Sequence, residues 1–409
     1  MNRWGRWLTV LFFVTFPWDI SKVLFPPYQS APETSTTLTF VRIATMLLII
    51  WACSAMLQER VRQRLLHSFN RKILGSVIPL FLAVGISYIG SFQEHNTLIE
   101  AFRLAVLCAL GISIAISTDT PRIYNIVWHI IVGMATLTSV IGIIQYVSGI
   151  GIWGGGVNVL GFVRRVNATF IDPNIFARYL DISILGSMIL LLTKEWKLRI
   201  WLILALILQL TALLFTHSRT AWLIIALGFF VFVLFVPNRI RLKLTGIYII
   251  FGGVMWLIPS VKSRLMTFVT GPGVAIGGRE HLLKAGWTMF IEHPIKGVGL
   301  GNFQWAIEHQ YQRFLPVNGL VTRPHTSLMT IAAEMGIIGL LAMLIFLGVM
   351  IWENTRINAI SRGYLLAMTC GVLVIWLSSQ GEGRFFEDPL LWAFWGLSMA
   401  SHGLRHNTT

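Results

Sequence analysis

Charge is what this chain has least of. Only 12% of its 409 residues are Asp, Glu, Lys or Arg, against 55% hydrophobic, and the mean hydropathy is +0.72. A soluble globule of this length carries about a quarter charged residues, so a soluble enzyme is excluded. Cysteine is also scarce. Cys53, Cys108 and Cys370 all fall inside apolar segments with no partner at metal-ligand spacing, and read as small packing residues. The first apolar stretch, Trp4 to Trp18, lacks a small-residue cleavage site and therefore reads as a first membrane helix. Unbroken apolar runs such as Trp201 to Leu208 lack the alternation a spanning β-barrel requires. Acidic residues are the rarer sign, 17 against 32 basic, for a net charge of +15. The cations sit mostly at the ends of apolar runs, which points away from nucleic acid and towards membrane topology.

What is present is a series of apolar runs long enough to cross a hydrocarbon core of about 30 Å as helices. The fold expected is an all-α polytopic membrane protein of about twelve transmembrane helices with a long helical periplasmic loop. The spans fall near residues 5–25, 39–57, 74–92, 99–117, 124–147, 174–193, 199–216, 220–236, 243–258, 327–352, 363–380 and 388–403. This divides the chain into residues 1–258 with helices one to nine, the loop 259–326, and residues 327–409 with helices ten to twelve. Alternate connections are cation-rich, among them the cluster Arg60, Arg62, Arg64, Arg71 and Lys72, and later Lys194, Lys197, Arg199, Arg239, Arg241, Arg356 and Arg362. The positive-inside rule then places both termini in the cytoplasm.

The loop 259–326 is far longer than its neighbours, and loops of that length are commonly functional. Within it, Leu282, Leu283, Gly286, Trp287 and Phe290 share one helical face, and Phe303, Ile307, Tyr311 and Phe314 form a second stripe. Both are expected as amphipathic helices on the membrane or over the bundle. Gly297, Gly299 and Gly301 follow no expected strand and read as tight turns rather than a dinucleotide site. No repeat of fixed period is evident, which disfavours a transporter built from repeats.

This topology gathers unusual polar residues on the external side. Arg219 opens the eighth span, Arg279 the first loop helix, and Arg164 and Arg165 lie in the external connection 148–173. His325 precedes the tenth span. A guanidinium presents a planar fork of donors suited to phosphate oxygens, and outward helix N-termini favour anions. The cluster therefore fits a diphosphate at the membrane surface, against the plainer alternative of arginines snorkelling to headgroups. His325, in a first helical turn, would stay neutral and able to accept a proton; the alternative is a helix cap. Glu334, about half a turn out of phase, reads as a packing or gating carboxylate. Arg103 and Arg178, inside apparent spans, are expected to pair with carboxylates such as Glu100 or Asp181.

The stretch Gly278 to Gly339 carries Gly-Arg-Glu, Ala-Gly-Trp-Thr-Met-Phe-Ile-Glu-His-Pro, Gly-Val-Gly-Leu-Gly-Asn-Phe, Pro-His-Thr-Ser-Leu and Ala-Glu-Met-Gly-Ile-Ile-Gly. With Ser-Arg-Thr-Ala at 218–221 and Asn-Ala-Thr-Phe-Ile-Asp-Pro-Asn at 167–174, it resembles the O-antigen ligase and polymerase family. His325 is followed by Thr326 where that family often has Asn. The resemblance implies an inverting, metal-independent glycosyltransferase without a cofactor, taking a glycan from undecaprenyl diphosphate on the periplasmic face of a bacterial inner membrane. It implies that Arg219 and Arg279 bind the donor and that His325 is the base. The leading expectation is a ligase with a lipid A core sugar as acceptor and with membrane lipids as its surroundings. The alternatives are a polymerase joining lipid-linked repeats and, in another class, a twelve-helix transporter.

Overall fold

The computed structural model describes residues 2–18, 21–25, 36–151, 158–160, 163–235, 280–314, 326–356, 362–383 and 385–401, with scattered positions between 241 and 266. Most of the expected ninth span, and both Arg279 and His325, lie outside the described residues.

The described chain is helical apart from two short hairpins, β1 (Ser21–Phe25) with β2 (Thr36–Thr39), and β3 (Asn158–Leu160) with β4 (Val163–Arg165). The first helices are α1 (Asn2–Thr15), α2 (Phe40–Met56), the polar α3 (Glu59–Ser68), α4 (Arg71–Gly75), α5 (Ile78–Tyr88), α6 (Glu94–Ser117) and α7 (Arg122–Ser148). There follow α8 (Pro173–Leu192), α9 (Ile200–Phe215) and α10 (Arg219–Phe235). Beyond the loop come α11 (Glu280–Glu292), α12 (Phe303–His309), α13 (Ser327–Arg356), α14 (Arg362–Glu382) and α15 (Pro389–Ala400). Among the described residues six helices are long and apolar enough to cross a membrane, fewer than the twelve expected, and four shorter apolar helices lie among them. The fold is thus a polytopic helical bundle.

Contacts divide the bundle into two ends that match the two sides expected from charge. At one end Arg6 meets Asp119, Lys72 meets Glu353, and Asn125 accepts from both Trp196 and Tyr364. At the other, Phe16 packs on Phe170 and Tyr179, and Asn302 donates to Thr97.

Helix α15 has twelve residues, roughly 18 Å at 1.5 Å per residue, short of a full crossing. It is sheathed in protein: every residue from Leu390 to Ala400 is buried. It is held at its N-terminus by Asp388, whose side chain accepts from the Leu390 N–H and pairs with Arg178 at 3.0 Å. Along its length Gly396 crosses Gly111 of α6 so closely that a Cβ on Gly396 would lie 2.1 Å from the Gly111 carbonyl. Small residues at such a crossing let backbones approach where lipid gives no hydrophobic drive.

Candidate functional site

The hairpin of β3 and β4 is fixed from three directions. The Val166 N–H donates to the Phe215 carbonyl at the end of α9. Gln145, buried in α7, donates to the Ala168 carbonyl at 3.0 Å and accepts from the Ala168 N–H at 2.8 Å. Thr169 donates to the Pro17 carbonyl beyond α1. These bonds let Ala168 hold a left-handed φ of 49° inside the core. Asp172 then caps α8 through the Asn174 N–H at 2.6 Å.

Arg164 and Arg165 are neighbours in β4 and so project from opposite faces. Arg164 is exposed and lies across Gly149, the left-handed end of α7. Arg165 turns inward: its Nε donates to the Thr216 carbonyl and its Nη2 to Asn174 Oδ1, both at 2.9 Å. Burial holds Arg165 below the ordinary arginine range; Asp172 opposes that shift and the Arg219 guanidinium adds to it. Through its bond to the Thr216 carbonyl, Arg165 is anchored on the turn that leads into Arg219. Two partly desolvated cations on neighbouring elements repel one another, and a bound anion offsets that cost.

Arg219 reaches this place because α9 and α10 are joined by only Thr216, His217 and Ser218, with His217 at φ 52°. One residue on, Thr220 packs on Gly381 of α14, where a Cβ would lie 2.8 Å from Thr220 Oγ1. Next to Gly381, Gln380 donates to Ser327 Oγ at 2.7 Å, and Ser327 also bonds Ser379. A continuous set of contacts thus links Arg219 to the head of α13. His325 precedes Thr326, the residue before that helix.

The loop helices cap the same end of the bundle. Leu282, Ala285, Gly286 and Met289 form the buried face of α11, with Gly286 against Met329 of α13. This face is rotated from the expected one: Trp287 is 54% exposed. Phe303, Ile307 and Tyr311 are buried as the spacing predicted. Gly297, Gly299 and Gly301 adopt φ of 67°, 102° and 78°, so the turn reading holds. They bring the loop against a break in α13 at Gly336, φ 61°. There the Val298 and Gly299 N–H groups donate to the Ala333 and Glu334 carbonyls, and the Ile337 N–H donates to the Pro294 carbonyl. Glu334 is buried and its Oε1 accepts from the Phe303 N–H at the start of α12, a packing role. Tyr311 donates to Glu292, and burial together with that carboxylate pushes its hydroxyl pKa up.

Arg103 pairs with Glu100 at 2.6 Å, as its position predicted, and Arg178 has an ion pair with Asp388, the residue that caps the distant last helix. Sequence reasoning missed Gln145, Gln380 and the Thr216 carbonyl. A lone amide inside an apolar span was the available signal for Gln145; nothing in the sequence marks a backbone carbonyl. Among the described residues no three His, Cys, Asp or Glu side chains group as a metal site.

No curated protein matches the chain. Residues 202–344, about a third of its length, match the family model described as O-antigen ligase. That segment runs from α9 through Arg219 and the loop helices to the broken α13, which are the elements the contacts join. The chain therefore carries, at residues 202–344, a domain of the O-antigen ligase family.

Proposed function

We propose that the chain is an O-antigen ligase that transfers a glycan from undecaprenyl diphosphate to a lipid A core sugar at the periplasmic face of a bacterial inner membrane, with both termini cytoplasmic. The observation that carries this reading is that Arg165 is anchored on the α9–α10 turn leading into Arg219, and that this turn is linked through Thr220, Gly381 and Gln380 to the head of α13. In this reading Arg219, Arg165 and Arg279 take the diphosphate. Arg279 immediately precedes Glu280, the first residue of α11. Arg164 joins from the outward face of the strand.

The chemistry asked of such a site is modest. The His325 imidazole takes the proton of the acceptor hydroxyl, whose oxygen attacks the anomeric carbon of the donor sugar. The bond from that carbon to the diphosphate oxygen breaks, and the anomeric configuration inverts. The leaving group departs as undecaprenyl diphosphate, its charge taken by arginines already in position, so neither an acid nor a metal is required of the mechanism.

Lipopolysaccharide gels of a strain lacking the gene test the reaction. Loss of all polymer from the core, restored by the wild-type gene, is expected of a ligase. A core bearing a single repeat would instead mark the polymerase reading.

A further inference from the structure

Helix α13 begins without a cap of its own. The Thr326 carbonyl accepts the first helical bond, from the Thr330 N–H at 2.9 Å, which makes Thr326 the N-cap. A threonine in that place ordinarily takes one of the next N–H groups on its hydroxyl. Here Thr326 Oγ1 is enclosed and makes no hydrogen bond among the described residues. The role passes to another helix: Gln380 of α14 accepts the Leu328 N–H on Oε1 at 3.4 Å and donates from Nε2 to Ser327 Oγ at 2.7 Å. Nε2 also donates to the Trp376 carbonyl one turn back at 3.1 Å, so the amide is held by its own helix while it holds the next. Ser379 adds a 2.7 Å bond to Ser327 Oγ.

The following residue, Gly381, is packed by Thr220 of α10. Three consecutive residues of α14, Ser379, Gln380 and Gly381, therefore touch the first turns of both α10 and α13. Those turns adjoin the two groups assigned to the chemistry: Arg219 precedes Thr220, and His325 lies two positions before Ser327. In-line displacement needs the base and the donor-binding cations in fixed relation, because the acceptor oxygen must meet the anomeric carbon opposite the departing diphosphate. A plainer use of such an amide is to fasten one membrane helix to another. Fastening alone would be served anywhere along the contact of α13 with α14, whereas these bonds fall on the first two residues of α13.

We infer that Gln380 is a positioning residue for transfer: it sets the head of α13, and through it His325, against Arg219. The inference rests on the roles proposed for Arg219 and His325. The full chain in proteoliposomes is assayed with undecaprenyl diphosphate-linked glycan and a lipid A core glycolipid. Gln380→Met keeps the length of the side chain and removes both bonds to α13. It should lower kcat about 10-fold to 100-fold and leave the KM for donor within about 2-fold. Ser327→Ala removes the partner rather than the amide and should show the same split to a smaller degree. The double variant should be slower than Gln380→Met by no more than about 2-fold, since both changes break one contact. If Gln380→Met fails to insert, Ser327→Ala alone carries the test, because Leu328 keeps its acceptor. A kcat near wild type in the folded variants, a rise in donor KM in place of the fall in kcat, or losses that multiply in the double variant would each overturn the role. His325→Asn is the reference. Transfer at a near wild-type rate there would overturn the base reading and this role with it, whereas an inactive His325→Asn beside a normal Gln380→Met overturns the positioning role alone.

Discussion

Arg165 is held as well as placed. Two of its donors are committed to Thr216 and Asn174, which leaves the Nη1 edge of the fork for a ligand. Lysine cannot reproduce this arrangement, because one ammonium cannot reach both partners and still present a planar edge. Losing one charged donor to a phosphate costs about 2 to 4 kcal/mol of transition-state stabilisation, or roughly 30-fold to 1,000-fold in rate. Arg165→Lys and Arg219→Lys should each show such a loss in transfer at subsaturating donor. Wild-type turnover in both would reduce these arginines to headgroup anchors. For His325, a base is worth about 10² to 10⁴ in rate, whereas the Asn side chain stays polar at this position, one residue before Thr326 at the head of α13, but cannot take up a proton at neutral pH. His325→Asn should therefore stay folded and bind donor but transfer almost no glycan; a rate within a few-fold of wild type would make the histidine structural. At this scale the sequence was informative wherever a cation stood on the cation-poor side, as with Arg219 in Ser-Arg-Thr. It was silent where the partner is a backbone carbonyl such as that of Thr216. It also could not separate Arg164 from Arg165, since strand alternation matters only once a strand is known.

Among elements, the hairpin depends on one amide. Gln145→Leu would leave the Ala168 N–H and carbonyl buried without their partner, at about 1 to 3 kcal/mol each. The expected outcome is a lower unfolding midpoint together with weaker donor binding, since Arg165 begins three residues before Ala168. A fall in stability with donor affinity unchanged would show that the hairpin does not set the arginine. The break in α13 makes a parallel case. Gly336 sits at φ 61°, and a Cβ there would lie 2.4 Å from the Ile295 carbonyl. Gly336→Ala should free the loop from the helix and speed proteolysis between α11 and α12; protection equal to wild type would contradict that docking. Hydropathy located α2, α10 and α14 to within a few residues, because burial in lipid or protein alike demands apolar runs. It could not find the break, because Ala-Glu-Met-Gly reads as ordinary helix until Pro294 and Ile295 are placed beside it. The rotation of α11 has the same origin: small Ala285 and Gly286 face α13, while Trp287 faces outward.

For the molecule as a whole, the charge at the connections predicts which end of the bundle faces the cytoplasm. Cysteines introduced at Arg64 and Gln312 in a cysteine-free background should label differently in intact spheroplasts. An impermeant thiol reagent is expected to reach position 312 and not 64, and the reverse would invert the chain and remove the periplasmic chemistry. The central claim is that one end of this bundle moves a glycan from a lipid diphosphate to a separate acceptor without help from a metal ion. It is tested most directly with the purified chain in proteoliposomes, supplied with undecaprenyl diphosphate-linked glycan, a lipid A core glycolipid and EDTA. The account predicts glycan attached to the core through an inverted linkage, abolished by His325→Asn. Product that remains on undecaprenyl diphosphate, or transfer that stops in EDTA and returns with added metal, would contradict it.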